Sequence, residues 1–337
     1  MSASATMQET RLNLFPFIQN NRIGYIDKTG KVILNPQFEG HDNKLPVSGA
    51  ISARGFREGL APMQVGSQWG YVNPKGALEI APDFEQAGTF QEGLAPVKIG
   101  GSWGYIDKSG KFAVNPEFED VGLFSGGIAP VKKDGQWGFI QKNGQFLVRP
   151  QFDGVTGKRS SATPGTHTTE ANFEHGLVGA KVGQKWGYID KTGKFVVNPK
   201  FDDAHSFFGA LAAVRMGEQW GFIDTKGDFA INPQFDDVGA FGNGVAPARQ
   251  GDSWGYIDKK GQWIANPQFQ DAYSFYEGLA SVKFNGKWGF IDSHGKYVVD
   301  PRFDDVGDFE DGLAPVRLDD KWGYIDKVGT FIMSPTN

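Results

Sequence analysis

The sequence predicts an all-β protein: a tandem array of nine antiparallel meander units of about 34 residues, joined into a β-propeller-like ring that is closed or nearly closed. Three observations carry this. Trp-Gly recurs at Trp69, Trp103, Trp137, Trp186, Trp220, Trp254, Trp288 and Trp322, with successive spacings of 34, 34, 49, 34, 34, 34 and 34 residues. Gly stands seven residues after that position in every unit, from Gly30 to Gly329, and Pro stands thirteen after it, from Pro36 to Pro335. Helical periodicity is nearly absent, while short apolar runs bounded by turn residues recur throughout. A ninth, earlier copy carries Ile23-Gly24 in place of Trp-Gly, 46 residues before Trp69. Nine units of 34 account for 306 residues and the two long spacings add 12 and 15, so a single repeat domain spans 1–337.

Each unit reads as three strands. In the third unit these are Leu94 to Lys98, Trp103 to Asp107 and Lys111 to Pro116. Pairs such as Gly100-Gly101, Asp134-Gly135 and Asn285-Gly286 are two-residue hairpin signals between the first and second strands. Between the second and third, Asp107 to Gly110 suits a type I turn whose Gly takes positive φ, which only Gly does without steric cost. The Pro of the first strand cannot donate to a ladder and points to an edge or a bulge. A short fourth strand is expected around Val306 to Phe309 and its equivalents.

Along Trp103 to Asp107 the side chains alternate, so Trp and Tyr share one face and Gly and Ile the other. Both faces are apolar, as a small sheet between two neighbours requires, and a Trp opposite a neighbour's Gly would let the sheets approach. The repeating Trp residues are therefore expected to be mostly core. Stacked radially, such sheets make a propeller; stacked along an axis, an open β superhelix or solenoid, which is the alternative. If the fourth strand closes a blade, the N-terminus completes the last blade and locks the ring. If that segment opens the next unit instead, nothing is expected to tie the ends together.

The consensus G-L-A-P-V-K-x-x-G-K-W-G-Y-I-D-K-x-G-K-F-V-V-N-P-x-F-D-D resembles the WG-repeat (KWG-repeat) family, found mainly in bacterial proteins, and covers nearly the whole chain. The resemblance implies a β-rich, propeller-like fold and says little about activity.

Composition narrows the function. Charged residues make up 22% and the net charge is −5, with Lys and Arg interleaved among Asp and Glu, so no basic face for nucleic acid is foreseen. No apolar run reaches the ~20 residues that cross a bilayer, and no membrane insertion is expected. Cysteine is absent, which removes thiolate chemistry and Cys-held metal sites. The five histidines, His41, His167, His175, His205 and His294, show no metal-ligand spacing, so neither metal nor cofactor is expected. Paired carboxylates such as Asp202-Asp203, Asp236-Asp237, Asp304-Asp305 and Glu119-Asp120 could serve a glycosidase. A catalytic pair is needed once, however, and these recur, so the reading is a structural part that caps loop amides or forms a solvated rim. Whether the acidic loops take calcium is open. The compartment is equally open: cytoplasmic as written, exported or periplasmic if a signal peptide has been removed.

Departures from the period mark the candidate site. Insertions at about 40–55 and 154–172 enter at the same point of the unit, and equivalent points of a stacked array share a face. Their charged groups, His41, Asp42, Lys44, Arg54, Lys158, Arg159, His167 and Glu170, are the candidate binding residues. The expected function is that of a non-catalytic repeat scaffold that binds another protein. The alternative is a glycan or cell-wall polysaccharide module using the Trp residues, and a propeller-type hydrolase comes third.

Overall fold

The computed structural model describes residues 14–39, 55–156 and 173–335. Within them the chain forms nine small antiparallel sheets, set in a ring as the blades of a propeller. Numbered by their Trp-Gly positions, blades 3 to 9 each show four strands, and blades 1 and 2 show three among the described residues. Blade 3 is typical: a two-residue strand, Gln86–Ala87, then Leu94–Ile99, Ser102–Asp107 and Phe112–Phe118, hydrogen-bonded in that order.

Local chemistry sets each turn. Gly100 and Gly101 close the first hairpin with φ of 58° and 78°, and Asp134-Gly135 does so with 54° and 75°. These double positive values match the right-handed twist of the flanking strands. At the next turn the Gly110 N–H donates to the Asp107 carbonyl and the Asp107 N–H to that of Lys111, both at 2.9 Å. The Asp107 carboxylate accepts the N–H groups of Ser109 and Lys111 at 2.8 and 3.2 Å. All nine glycines of this phase, Gly30 to Gly329, lie at φ between 79° and 88°, as the type I turn with a following bulge demands. Pro96 stands just where the two-residue strand has ended, so its missing N–H leaves no gap. Its carbonyl accepts the Gly88 N–H at 2.8 Å.

The structure corrects the expected role of the Trp-Gly glycine. A Cβ on Gly104 would lie 2.6 Å from the Val114 carbonyl oxygen and 2.8 Å from the Pro116 nitrogen, both in its own blade. The third strand is bulged there, pairing Val114 with Tyr105 and Phe118 with Trp103, and the bulge presses its backbone onto the glycine. No neighbouring Trp is involved. Nor are the Trp side chains uniformly core. Trp103, Trp220 and Trp288 are buried, whereas Trp69, Trp137, Trp186, Trp254 and Trp322 are half-buried. Trp lies at the hairpin end of its strand, opposite Lys or Arg in most blades (Lys98 faces Trp103, Arg215 faces Trp220), and those stems cover only part of the ring.

The blades are held together by the next aromatic along. Tyr105 is fully buried, packs edge-on to Phe124 of blade 4 at 4.7 Å, and donates its hydroxyl to the Gly122 carbonyl at 2.6 Å. The same edge-to-face or tilted pairing recurs at Tyr25–Phe56, Tyr71–Phe90, Phe139–Phe173, Tyr188–Phe207, Phe222–Phe241, Tyr256–Phe275 and Phe290–Phe309.

Ring closure is the main departure from expectation. The fourth strand is Asp305–Val306 rather than Val306 to Phe309, and it pairs with Leu313–Leu318 of the following blade. The segment therefore opens a unit, yet the ends still meet. Phe15 takes the place of the missing partner ring, 5.7 Å from Tyr324, and the Tyr324 hydroxyl donates to the Pro16 carbonyl at 2.8 Å. Phe17, Ile26 and Leu313 complete that cluster. The Gly30 turn sits against Ile332 of blade 9, where other turns of its kind sit against the third strand of the preceding blade. Among the described residues closure is by packing, with no strand shared.

Candidate functional site

All eight candidate binding residues, His41, Asp42, Lys44, Arg54, Lys158, Arg159, His167 and Glu170, lie outside the described residues. Their points of entry do not. The second insertion leaves blade 5 after Thr156 and returns at Phe173; the first returns at Gly55, beside Phe56 of blade 2. The second follows the two-residue strand Gly154–Val155, and each ends just before a turn that the sequence reading did not single out.

In blade 3 this turn is Glu92-Gly93, with φ of 55° and 86°, closed by the bridge between Gln91 and Leu94. Equivalent pairs are Glu58-Gly59, Gly126-Gly127, His175-Gly176, Gly209-Ala210, Asn243-Gly244, Glu277-Gly278 and Asp311-Gly312, each with positive φ at both residues. Successive turns lie within hydrogen-bonding reach. The Glu92 carboxylate accepts the Gly126 and Gly127 N–H groups of blade 4 at 2.6 and 2.9 Å and pairs with Lys142 of that blade at 3.1 Å. Lys142 also donates to the Glu92 carbonyl at 2.8 Å. Glu277 repeats this on Asp311, Gly312 and Lys327 of blade 9 at 2.6, 2.9 and 3.1 Å. Glu58 does so on Gly93 and Lys108 of blade 3 at 3.0 and 3.4 Å. Between blades 5 and 6 the His175 Nε2 accepts the Ala210 N–H at 3.0 Å.

These contacts are interblade clasps. Partial burial works against ionisation of Glu92, but the Gly127 N–H, Lys142 and the Gly126 N–H outweigh it and hold the carboxyl below its usual range. Across blade 1, Arg57 of blade 2 pairs with Glu310 of blade 9 at 2.7 Å, bringing turns two blades apart into contact. This places the turns on the narrow inner circumference of the ring. A shallow depression of about 630 Å³, lined by Glu92, Gly126, Gly127, Gln141, Lys142 and Asn143, opens beside the clasp.

The sequence holds a signal for the clasps. Glu58 and Lys108, Glu92 and Lys142, and Glu277 and Lys327 each stand 50 residues apart, one period plus the distance from this turn to the next. A search at the repeat period alone passes over it.

The paired carboxylates cap loop amides, as expected. Glu119 accepts the Gly135 N–H at 2.9 Å, Asp202 that of Gly217 at 2.7 Å and Asp236 that of Gly251 at 2.7 Å. The second member, as in Asp203 and Asp237, accepts the N–H of the residue after it. Of the histidines, His294 is exposed in its turn and His205 lies 4.6 Å from Trp220 in a tilted stack; His41 and His167 fall outside the described residues. Among the described residues no group of three or more His, Asp or Glu could hold a metal, and no helix is long and apolar enough to cross a membrane. Of the aromatics in the 205–210 and 271–278 segments, Phe207 and Phe275 are core, Tyr273 stacks on Trp288 at 5.2 Å, and Tyr276 is exposed.

One half-buried carboxyl group is strongly perturbed. Burial, with Glu310 adding to it, pushes the Asp308 carboxyl up to about 6. A pKa raised on folding means stability that is whole below the unfolded value and lost as pH rises through about 6. Asp308→Asn should therefore stabilise the protein by about 1–3 kcal/mol at pH 8 and by little at pH 4, the two-unit shift setting the scale. Urea titrations at the two pH values check this; an equal gain at both would show that the charge is not what strains the site.

Comparison with known proteins supports the repeat and the fold. The family model for the WG containing repeat matches residues 23–40, 69–103, 103–137, 137–157, 186–220, 220–253, 254–288 and 288–322. Among solved structures, one described as the eukaryotic initiation factor is similar at 10% identity over 95% of each chain, with a TM-score of 0.61. Hsv2p of Kluyveromyces lactis is similar at 8% identity over 70% of this chain and 90% of its own, with a TM-score of 0.43. The dihydro-heme d1 dehydrogenase NirN follows at 14% identity, 97% and 73% coverage and a TM-score of 0.45. At these identities the likeness concerns the fold alone. Comparison with curated proteins finds no match.

Proposed function

The chain belongs to the family of WG-containing repeats, and from that premise we propose that it is a non-catalytic scaffold that binds another protein on the face carrying the turn ring. One observation carries the reading: both insertions enter beside turns of this ring, and the ring's bonding varies from blade to blade while the rest of the unit repeats. Loops on a rigid β scaffold are where binding residues gather. The carboxylate pairs that a hydrolase would need are engaged by loop amides, which supports the non-enzymatic reading. Deleting Lys158 to Thr169 should leave the thermal midpoint within about 2 °C and weaken capture of the partner, measured by crosslinking and quantitative mass spectrometry. Capture equal to that of the full chain would move the binding face elsewhere.

A glycan-binding role is the second reading, favoured by the half-exposed indoles of Trp69, Trp137, Trp186, Trp254 and Trp322. Lys181 already lies over Trp186 at 5.9 Å, which leaves less of that ring for a sugar. Sedimentation with insoluble polysaccharide that is lost in Trp137→Ala and Trp254→Ala would favour it.

A further inference from the structure

We propose that two junctions of the turn ring are vacant clasps, and that they receive carboxylates from an acidic segment of a partner protein. This deepens the reading of the face as a protein-binding surface and rests on it. Blade 7 shows the vacancy best. Asn243, Gly244 and Lys259 stand where Gly126, Gly127 and Lys142 stand in blade 4, but the residue in the place of Glu92 is Gly209. Lys259 is exposed and takes part in none of the ion pairs among the described residues. The Asn243 and Gly244 N–H groups likewise have no acceptor among the described residues, whereas Gly312 donates to Glu277 and Gly127 to Glu92.

Blade 5 repeats the arrangement, with Gly126 in place of the glutamate and Lys191 exposed and unpaired among the described residues. It is the weaker copy. There the Gly176 N–H already bonds the Phe173 carbonyl at 3.1 Å, and Glu174 adds a negative charge to the turn.

Neither vacancy arises from lack of room. A Cβ built on Gly126 or Gly209 meets nothing within 4 Å, and their φ values of 60° and 55° match the 52°, 55° and 49° of Glu58, Glu92 and Glu277. A glutamate would fit at either position. The occupied copies name the ligand chemistry, since two turn amides and a lysine hold a carboxylate in each of the Glu92 and Glu277 clasps. Phe208 and Tyr276 precede the turns of blades 6 and 8 on either side and add aromatic surface for residues flanking the acid.

The test uses the full chain and fluorescence anisotropy of labelled hexaglutamate at low salt, with hexaglutamine as the neutral counterpart. Hexaglutamate should bind and hexaglutamine should not. Gly209→Glu, which supplies the carboxylate from within, and Lys259→Gln should each weaken hexaglutamate about three- to tenfold, as expected for loss of a charge-assisted contact. Glu277→Gly should open a third vacancy and strengthen binding. Lys296→Gln, an exposed charge of another turn, should leave the affinity unchanged, which separates the site from general attraction to a polyanion. Lys259→Gln changes an exposed side chain only, so the proposal stays testable even if Gly209→Glu folds poorly. Unchanged affinity in both, or equal binding of hexaglutamine, overturns the vacant clasp and leaves the wider face to the loop deletion. Lost hexaglutamate binding together with intact partner capture in that deletion would do the reverse.

Discussion

Gly221→Ala should destabilise the protein by more than about 3 kcal/mol, although it adds a single methyl group. A Cβ on Gly221 would lie 2.5 Å from the Ile231 carbonyl oxygen, 2.6 Å from the Pro233 nitrogen and 2.8 Å from the Asn232 carbonyl carbon. These are backbone atoms of the same blade, and none can rotate away as a side chain could. The third strand would have to lift off by a large part of an ångström. Doing so breaks the pairing of Trp220 with Phe235 and of Phe222 with Ile231, and strips cover from a buried cluster that includes both aromatic partners. Ordinary overpacking costs about 1–3 kcal/mol where side chains can yield, so a backbone clash at a pinned bulge belongs above that range. Equilibrium urea unfolding measures it; a loss under about 1 kcal/mol would mean that the bulge relaxes freely and the Trp-Gly pair is not what seats the third strand.

That glycine also shows what could be read from the sequence. Its recurrence was plain, and so was the need for close approach, but a meander of ideal strands offers only a neighbouring sheet as the approaching object. The bulge that brings Pro233 down onto Gly221 comes from strand register, and a period of 34 residues does not encode register. The turn glycines from Gly30 to Gly329 were fully legible, because Asp-x-x-Gly specifies its own geometry within four residues. Ring closure was not. It depends on Phe15 reaching Tyr324 from a residue 309 positions earlier, and a rule that equated closure with a shared strand had no place for a packed seam. The clasps stood in between: Glu92 and Lys142 are both visible, but their 50-residue separation joins two different positions of adjacent units, so a search in phase misses the pair. The predicted insertion residues fall outside the described residues, and only their points of entry are placed.

Tyr105→Ala and Tyr105→Phe should differ widely, and the difference locates the force that holds one blade to the next. Tyr105 is fully buried, its ring edge-on to Phe124 at 4.7 Å and its hydroxyl 2.6 Å from the Gly122 carbonyl. Burial pushes its phenol well above the ordinary value, with the Asp120 charge adding to the effect, so it stays a neutral donor throughout the stable range. Truncation to alanine removes an entire core ring at the junction of two blades and should cost about 3–5 kcal/mol. Loss of the hydroxyl alone should cost about 0.5–1.5 kcal/mol, the net worth of one hydrogen bond. The protein itself carries the second substitution: Phe139, Phe222 and Phe290 occupy the same position in blades 4, 6 and 8, and pack on Phe173, Phe241 and Phe309 at 5.0, 4.7 and 4.9 Å. Their spacing matches that of the tyrosine blades without any hydroxyl, so the ring-on-ring contact suffices to set the distance between blades. Urea midpoints of the two variants decide the point. If Tyr105→Phe proved as damaging as Tyr105→Ala, the seam between blades would be held by the tyrosine's hydrogen bond, and the three phenylalanine blades would need some other means of attachment.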